Sequence, residues 1–281
     1  MKASVIIPFF KGNKYMPKML DMLNKNYILV KNHNMEMEVI IVNDSPTIKI
    51  EIDMDHINFP ITVINNLHNV GIHKTRVNGL NNSHGDVILF LDQDDMISDN
   101  TLLSQMTNLG DADFVVCNGY LQNADGRKKE IFQNLNHQRC SLNLNFHYGY
   151  GNPIISPGQV LIRKAVIPEE WKTHFFQNNG ADDHYLWLLL LEKKKIGKIN
   201  TEKLYTHVMT GNNTSLDLDT MCKSNQELVA LLHGKVDYKR LYMLKRRTLY
   251  YGSHPERILT KLRFWDVGLF KRYYSRMKRK S

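Results

Sequence analysis

The sequence has few cysteines, and they form none of the patterns seen in disulfide-rich or zinc-binding proteins. Its three cysteines, Cys117, Cys140 and Cys222, lie far apart among 281 residues and include no CxxC pair. This spacing argues against a disulfide framework and against a zinc site built on cysteines. A reducing compartment such as the cytoplasm fits this usage.

Long hydrophobic stretches are also absent. No segment approaches the roughly 18 consecutive apolar residues of a membrane-spanning helix. The apolar run that begins near Met1 reaches Pro8 after only a few residues, which is too short for the apolar region of a signal peptide. We therefore expect the protein to be made and kept in the cytoplasm.

Charge is present but unevenly distributed along the chain. Residues 1–215 have 21 Lys/Arg and 22 Asp/Glu, whereas residues 216–281 have 16 and 6, so the last quarter carries the excess behind the net charge of +9. A basic segment of this kind favours contact with a polyanion or an anionic membrane. We predict a catalytic domain at 1–215 and a basic amphipathic helical extension at 216–281.

Short apolar segments alternate with helical patterns over the first 120 residues. The five predicted strands are Ser4–Phe10, Glu38–Asp44, Ile61–Asn65, Asp86–Leu91 and Ala112–Cys117. The predicted helices among them are Tyr15–Asn26, Gly71–Ser83 and Asp99–Leu109, the last capped by Ser98 or Asp99. Strands that are apolar on both faces indicate a covered, mostly parallel sheet. The pattern predicts an α/β doubly wound fold with its ligand site at the carboxyl ends of the strands.

The rest of the chain has a weaker pattern. We predict a strand at Gln159–Arg163 and helices at Gly180–Glu192, Tyr238–Tyr251 and Ile258–Phe270. The apolar positions predicted to share one face of the first basic helix are Tyr238, Leu241, Tyr242 and Leu249. Those of the second basic helix are Ile258, Leu262, Trp265 and Leu269.

Three acids in four residues, Asp92-Gln93-Asp94-Asp95, follow the apolar run 87–91. Carboxylates at the mouth of a buried strand are hard oxygen ligands for Mg²⁺ or Mn²⁺, and water and substrate phosphates complete the shell. Such an ion neutralises a diphosphate and stabilises its departure as a leaving group. A single Asp would more simply be a helix N-cap or part of a solvated turn. Three acids after a buried strand favour the metal site.

Five segments occur in an order that is typical of one enzyme family. They are SVIIPFF at 4–10, VNDSP at 42–46, NVGIHKTRVNGL at 69–80, GDVILFLDQDD at 85–95 and ADDHYLWLLL at 181–190. Taken together they resemble the bacterial family 2 glycosyltransferases, over about residues 3–215. The resemblance implies a Rossmann-like GT-A fold and transfer of a sugar from a nucleotide donor.

The resemblance also implies a donor site. The residues it assigns to the nucleotide sugar are Pro8, Phe9, Asp44, Asn69, Gly71, Arg76, Asp92 and Gln93. Asp44 would accept the N3–H of uracil or thymine, which suits a uridine or thymidine donor. Each of two residues has an alternative interpretation. Asp44 could form an Asx-turn before Pro46, and Arg76 could be a solvated residue of its helix.

For the metal, the resemblance implies direct ligation by Asp94, with Asp92 contacting the ribose or a metal-bound water. Asp95 is acceptable in either role, so the division among these acids stays open. His207 would be a further metal ligand or a phosphate donor.

For catalysis, the resemblance implies that Asp183 is a general base beside Asp182. It would deprotonate the acceptor hydroxyl in a single displacement with inversion. Favourable pairing of both acids with the helix dipole is the alternative.

The basic segment has three interpretations. In the first, its Lys and Arg residues contact anionic lipid while aromatic side chains reach the headgroups. These aromatic residues are Phe264, Trp265, Phe270, Tyr273 and Tyr274. Nucleic-acid binding and packing on the catalytic domain are the others. We favour the first, with the enzyme peripheral at the inner face of the cytoplasmic membrane. The expected acceptor is an undecaprenyl-diphosphate-linked oligosaccharide in capsule or O-antigen synthesis.

Two other functions compete. Sugar-nucleotide nucleotidyltransferases share the layout, but they carry a Gly-rich phosphate loop that Phe9-Phe10-Lys11-Gly12-Asn13 matches poorly. A non-catalytic nucleotide-sugar-binding protein on the same fold is the second, and the intact acids argue against it.

Overall fold

The computed structural model describes residues 1–211, 217–253 and 257–279. Packing divides the chain into two compact units. Unit 1 comprises Met1–Ile131, Ser156–Ile167 and Ile196–Thr210, and unit 2 comprises Phe132–Ile155, Pro168–Lys195 and Gly211–Ser281. The predicted boundary at 215 lies outside the described residues. Unit 2 also takes in two segments that we had assigned to the catalytic domain.

Unit 1 contains a mixed β-sheet. Its strands are β1 (Lys2–Phe9), β2 (Glu36–Asn43), β3 (Ile61–Asn65), β4 (Val87–Phe90), β5 (Met96–Ile97), β6 (Phe114–Gln122), β7 (Lys128–Glu130), β8 (Val160–Arg163) and β9 (Gly197–Val208). Their spatial order is β3-β2-β1-β4-β8-β6-β9-β5, and β7 pairs with β6. The first four are parallel neighbours, whereas β8 is antiparallel to both β4 and β6. The expected α/β fold is confirmed, with the parallel pairing concentrated in β3-β2-β1-β4.

Three α-helices belong to unit 1: α1 (Met16–Asn32), α2 (Ile72–Asn81) and α3 (Thr101–Leu109). The apolar residues that we placed on one face of α1, among them Met19 and Leu23, are buried. The predicted cap of α3 was wrong. The helix is capped at Asn100, without a side-chain hydrogen bond, because Ser98 lies in the preceding turn, where its carbonyl accepts the N–H of Thr101.

Unit 2 is helical. Its helices are α4 (Leu135–Arg139), α5 (Leu144–Gly149), α6 (Glu169–Thr173), α7 (Asp182–Glu192), α8 (Leu218–Leu232), α9 (Tyr238–Tyr251), α10 (Ile258–Arg263) and α11 (Trp265–Arg279). Helix α7 is buried almost all round, from His184 to Leu190, and forms much of the core. In the described part of the chain, no helix combines the length and the apolar character needed to cross a bilayer.

The basic helices differ from the expected pattern. Of the four positions predicted to share one face of α9, only Leu241 is buried; the exposed ones are Tyr238, Tyr242 and Leu249. The packed face instead includes Arg247, which no apolar pattern can reveal. The predicted helix Ile258–Phe270 is two helices, interrupted at Phe264. Its four predicted apolar positions are all exposed, namely Ile258, Leu262, Trp265 and Leu269.

Candidate active site

Unit 1 brings together the polar residues that follow β1, β2 and β4. Because these strands are parallel neighbours, their carboxyl ends lie at the same edge of the sheet. Backbone hydrogen bonds continue the pairing into the loops: Asp44 N–H donates to Phe9 O at 2.8 Å, and Leu91 N–H donates to Ile6 O at 2.9 Å. The predicted donor and metal residues that follow these three strands therefore start from one edge.

Asp92, the first acid after β4, forms an ion pair with Arg76 of α2. Arg76 Nη2 donates to Asp92 Oδ1 at 2.5 Å, and the Arg76 side chain is 5% exposed. Ser156 Oγ donates to Asp92 Oδ2 at 3.3 Å. We expected both charged residues beside the donor, and the structure shows that they are also bound to each other. A charge-assisted hydrogen bond of this kind fixes the carboxylate in one orientation.

Asp95 is buried and joins the acidic motif to β9. Its carboxylate accepts hydrogen bonds from Tyr205 OH and, at 3.0 Å, from Val208 N–H. His207 Nδ1 lies 3.0 Å from Asp95 Oδ1. Burial alone would lower the pKa of His207, but the hydrogen bond to Asp95 and the nearby negative charges raise it. Asp95 thus has both oxygens engaged within the protein, and it orients the His207 ring in the way that carboxylates orient metal-binding histidines.

Asp94 is partly exposed and lies close to two other carboxylates. Burial, and then the negative charges of Asp95 and Asp92, raise the pKa of Asp94 to about 6. A nearby cation would offset this repulsion, so a carboxylate in such surroundings gains from binding one. Of the three acids in the motif, Asp94 is the best suited to bind a divalent metal.

Protein side chains alone do not make a full coordination shell here. Within residues 1–211, 217–253 and 257–279, no three His, Cys, Asp or Glu side chains are placed to hold one ion. Mg²⁺ at phosphate sites is usually held by one or two carboxylates, with water and substrate phosphates as the other ligands. The arrangement fits a metal that is held jointly by Asp94 and a bound diphosphate.

Gln93 connects the acidic motif to the loop after β1. Its Oε1 accepts from Phe10 N–H at 3.0 Å, and its Nε2 donates to Phe10 O at 2.9 Å. A Cβ on Gly12 would lie 2.0 Å from Gln93 Oε1, so a larger residue there would require the Gln93 side chain to move. The side chain that we assigned to the donor therefore shapes the loop beside it, and its contact with a donor stays a prediction.

Asp44 holds the loop that leads into α2. Its Oδ1 accepts from Asn66 Nδ2 at 2.9 Å and from Val70 N–H at 2.8 Å. Its Oδ2 accepts from Gly71 N–H at 3.0 Å, and Asn69 Oδ1 accepts from the same N–H at 3.0 Å. Gly71 has a φ of 85°, which favours glycine. These predicted donor residues thus form one connected group.

The Asx-turn that we considered for Asp44 is made by its neighbour: Ser45 N–H donates to Asn43 Oδ1 at 2.9 Å. Pro8 and Phe9, at the end of β1, are both buried, whereas Phe10 is 45% exposed. The two predicted pocket residues therefore belong to the sheet, and the exposed aromatic ring is one position further on.

In unit 2, Asp182 and Asp183 begin α7. Asp182 is 3% exposed, and its carbonyl accepts from Trp171 Nε1 at 2.8 Å. Asp183 is partly exposed; its Oδ1 accepts from His184 N–H at 2.6 Å, and its Oδ2 from Asn152 Nδ2 at 3.0 Å. Asp183 is thus the member of the pair that a substrate can reach.

We did not identify Ser156, Tyr205 or Asn152 from the sequence. Tyr205 could have been found, because it precedes His207 by two residues and a strand places both on one face. Ser156 and Asn152 lie in a region without a periodic pattern, where only the fold reveals a role.

Residues 4–171 match the family described as "Glycosyl transferase family 2". A stretch of 92 residues is 34% identical to an uncharacterized glycosyltransferase of Haemophilus influenzae (strain ATCC 51907 / DSM 11121 / KW20 / Rd). That stretch is 33% of this chain and 29% of the relative, so the match spans less than a third of the relative's length.

Two solved structures share the fold. S. aureus TarS 1-349 in complex with UDP-GlcNAc has a TM-score of 0.61 at 17% identity, over 96% of this chain and 80% of that chain. The mannosyltransferase PcManGT from Pyrobaculum calidifontis, in complex with GDP-Man and Mn²⁺, has a TM-score of 0.60 at 13% identity, over 95% of this chain and 73% of that chain. At these identities the likeness shows the GT-A fold.

Proposed function

The chain belongs to glycosyl transferase family 2, and we propose that it is an inverting, metal-dependent enzyme that transfers a sugar from a UDP-sugar to a saccharide acceptor. The contrast among the three acids after β4 carries this proposal. Asp92 and Asp95 are held by protein partners, whereas Asp94 is partly exposed in a strongly negative environment. This arrangement suits a metal and the diphosphate of a nucleotide sugar.

The donor site is proposed at the edge formed by β1, β2 and β4. Asp44 accepts three hydrogen bonds from the protein. A carboxylate has about four acceptor sites, so the contacts within the described residues leave one for the N3–H of a uracil base. TarS with UDP-GlcNAc and PcManGT with GDP-Man support a nucleotide-sugar donor for this fold. We favour uridine because of Asp44.

The metal is assigned to Asp94, with Asp92 contacting it through water or contacting the ribose, and with His207 as a further ligand or phosphate donor. When bound, the ion would neutralise the diphosphate as that group departs. Because Asp95 contacts His207 through Nδ1, the Nε2 atom of His207 is the one proposed to bind the metal or a phosphate. Arg76 keeps Asp92 in place and adds a fixed positive charge near the donor.

Asp183 is the proposed general base. It removes the proton of the acceptor hydroxyl while that oxygen forms a bond to the anomeric carbon. The bond from this carbon to the diphosphate breaks at the same time, and the nucleoside diphosphate leaves with the electron pair. Attack from the opposite face inverts the anomeric centre. Asp183 lies in the first turn of α7, where the helix dipole stabilises an ionised carboxylate.

The proposal is tested by thermal-shift screening of UDP-sugars and GDP-mannose with Mn²⁺, followed by transfer assays. Asp94→Asn and Asp183→Asn should each abolish transfer and keep the melting temperature of a folded protein. Asp99→Asn, an exposed acid near the motif, is the matched control and should retain activity. Full activity in Asp94→Asn or Asp183→Asn would refute that residue's role, and release of pyrophosphate would indicate a nucleotidyltransferase.

The acceptor is proposed to be lipid-linked, with the enzyme at the inner face of the cytoplasmic membrane. Helix α11 supports this with an exposed stripe, which we define as Trp265, Leu269, Arg272, Tyr273 and Arg276. Helical spacing places these residues on one face, and its three apolar members are 62%, 48% and 55% exposed in chain order. Apolar and aromatic side chains interleaved with Arg are typical of helices that lie on anionic bilayers.

Two aromatic residues that we expected at the headgroups are buried. Phe264 is 2% exposed, and Tyr274 is 8% exposed. The Tyr274 ring stacks on Tyr150 with centroids 4.0 Å apart and lies 5.1 Å from the Phe146 ring. These contacts attach α11 to the rest of unit 2 by the face opposite the exposed stripe.

Co-sedimentation with vesicles of phosphatidylglycerol and phosphatidylcholine tests the membrane proposal. Replacing the three apolar residues of the stripe by Ser should abolish binding, and Leu67→Ser, an exposed leucine of unit 1, should not. Unchanged binding of the triple variant would contradict the proposal. Stripe-dependent binding of single-stranded RNA without vesicle binding would support the nucleic-acid alternative.

A further inference from the structure

Asn152 contacts the proposed base within unit 2. Its Nδ2 donates to Asp183 Oδ2 at 3.0 Å. Its Oδ1 accepts from Ile154 N–H at 3.1 Å, which determines that the amide nitrogen faces the carboxylate. The other carboxylate oxygen accepts the N–H of His184 at 2.6 Å. The Asp183 carboxylate is therefore oriented from two sides, by its own helix and by Asn152.

The backbone next to Asn152 is supported by Arg247 of α9. Arg247 is 4% exposed; its Nη1 donates to His147 O at 2.9 Å, and its Nη2 donates to Asn225 Oδ1 at 3.0 Å. Gly151 has a φ of 136°, and a Cβ there would lie 3.3 Å from Arg247 Nη1. The guanidinium thus packs directly under the turn that presents Asn152.

Arg247 is a cation in an environment that disfavours charge. Burial lowers its pKa to about 10, so it stays protonated at neutral pH. Its guanidinium donates to a backbone carbonyl and to a side-chain amide oxygen, which are neutral acceptors. Two acceptors in different directions suit the planar fork of arginine, and the ammonium of lysine could not bind both with the same geometry. Such a buried cation is costly and indicates a specific need at this position.

We infer that Asn152 is a positioning residue for Asp183 and that Arg247 holds the turn from which Asn152 acts. The inference rests on the proposed role of Asp183 as the base. The hydrogen bond from Asn152 stabilises the ionised carboxylate, so the base is charged when the acceptor arrives. It also fixes the direction of the remaining lone pairs, and misplacement by about 1 Å can cost about 100-fold in rate.

A titration that needs no substrate tests the first link. Asp residues labelled with ¹³C at the carboxyl carbon are followed by NMR, and the Asp183 signal is assigned by its absence in Asp183→Asn. Asn152→Ala should shift the titration of Asp183 to higher pH, because the carboxylate loses a donor. Asn152→Asp should shift it further, because a second negative charge would lie about 3 Å away.

The kinetic test uses UDP release from UDP-GlcNAc with Mn²⁺, a hydrolysis in which water replaces the acceptor hydroxyl and receives the sugar. In both Asn152 variants kcat should fall by about 10- to 100-fold with little change in KM, and the acid limb of the pH profile should move to higher pH. Arg247→Lys should lower kcat in the same way. Asn134→Ala is the control: Asn134 caps α4 and its Nδ2 donates to Met277 O, so the variant should lose stability and keep the wild-type pH profile.

The outcomes separate the two proposals. An Asp183 titration that is the same in wild type and both Asn152 variants overturns the inference, whether or not UDP is released. An active Asp183→Asn variant refutes the proposed base. The effect of Asn152 on the Asp183 titration would then still describe a contact in the structure, without a role in catalysis. Lower stability in the Asn152 variants with an unmoved titration would show that Asn152 only supports the fold.

Discussion

At the scale of single residues, the acidic motif shows how three carboxylates within four positions acquire different chemistry. Asp92 faces a buried guanidinium, Asp95 is held by three groups around β9, and Asp94 keeps partial exposure. Opposite charge and hydrogen bonding favour the ionised form, whereas burial and like charge disfavour it. Two predictions distinguish Asp95, which supports the fold, from Asp94, which is the proposed metal ligand.

Asp94→Asn should make the protein more stable at pH 8 and leave its stability nearly unchanged at pH 4. The pKa of Asp94 rises from 3.8 to about 6 on folding. The stability it contributes is therefore present below pH 3.8 and lost as pH rises through about 6. After allowance for its partial exposure, the gain in the variant at pH 8 is about 1–2 kcal/mol. Thermal unfolding with EDTA at both pH values measures it, and a lower melting temperature at pH 8 would be incompatible with this environment.

Asp95→Asn should have the opposite effect on stability. The carboxylate is buried and accepts from Tyr205 OH and Val208 N–H, with His207 beside it. Replacing one carboxylate oxygen by an NH₂ group sets a donor against a donor, and breaking a buried charged contact costs about 3–5 kcal/mol. Urea unfolding followed by circular dichroism should show this loss. A stability equal to wild type would indicate that the Asp95 contacts are dispensable.

At the scale of elements, the basic helices combine packed and exposed faces in an unusual way. Helix α9 buries Arg247, and α11 buries Tyr274 and Val267 while its other side exposes Trp265. Gly268 lies inside α11, and no atom of the described residues is within 4 Å of the position that its Cβ would take. Helix stability there depends on backbone propensity rather than on packing.

Gly268→Ala should stabilise unit 2 by up to about 1 kcal/mol, because alanine loses less conformational freedom in a helix. The three tryptophans, Trp171, Trp187 and Trp265, all belong to unit 2, so their fluorescence in urea reports its unfolding. The control is Gly119→Ala in unit 1, whose Cβ would lie 2.2 Å from Tyr205 O, and which should destabilise the β6–β9 pair. A destabilising Gly268→Ala would show that α11 is not helical at this point.

Much of the fold was predictable from the sequence, and the limits have physical causes. Strands β1 to β4 were found because they are apolar on both faces. The acidic motif was singled out because it follows such a strand, and the role of Asp94 in it stays a prediction. The packed face of α9 was missed because polarity marks Arg247 as a surface residue. Asn152 was missed because its partner is 31 residues away in a region without periodicity. Contacts that depend on tertiary folding leave no local pattern.

At the scale of the whole molecule, unit 2 contains several buried histidines that are neutral in the folded state. Burial lowers the pKa of His137 to about 4 and that of His147 to about 4, and it holds the pKa of His184 well below 6.5. Each of them binds a proton in the unfolded chain at a higher pH than in the native protein. Unit 2 is therefore sensitive to mild acid.

The stability of unit 2 should fall as pH drops from about 6.5 to about 4. In this range the unfolded chain binds more protons than the native state, so stability rises with pH and is lost on acidification. The urea midpoint from tryptophan fluorescence, measured from pH 7.5 to pH 4.5, should decrease steadily. His137→Phe should give a shallower slope, since one titrating group is removed. A midpoint independent of pH would contradict the burial of these rings.

The assembly of unit 2 from three separate segments has a consequence for the order of events during synthesis. The last segment of unit 1 is complete once residue 210 has left the ribosome. The environment of Asp183 is complete only after the part of the chain that contains Arg247 has been synthesised. Until then the segments carrying Asn152 and Asp183 lack the helices they pack on. A chain interrupted before α9 would therefore retain every segment of unit 1, while the proposed base, Asp183, would have no fixed position. Ribosome-stalled chains of increasing length would reveal this delay as a late step in protection from protease.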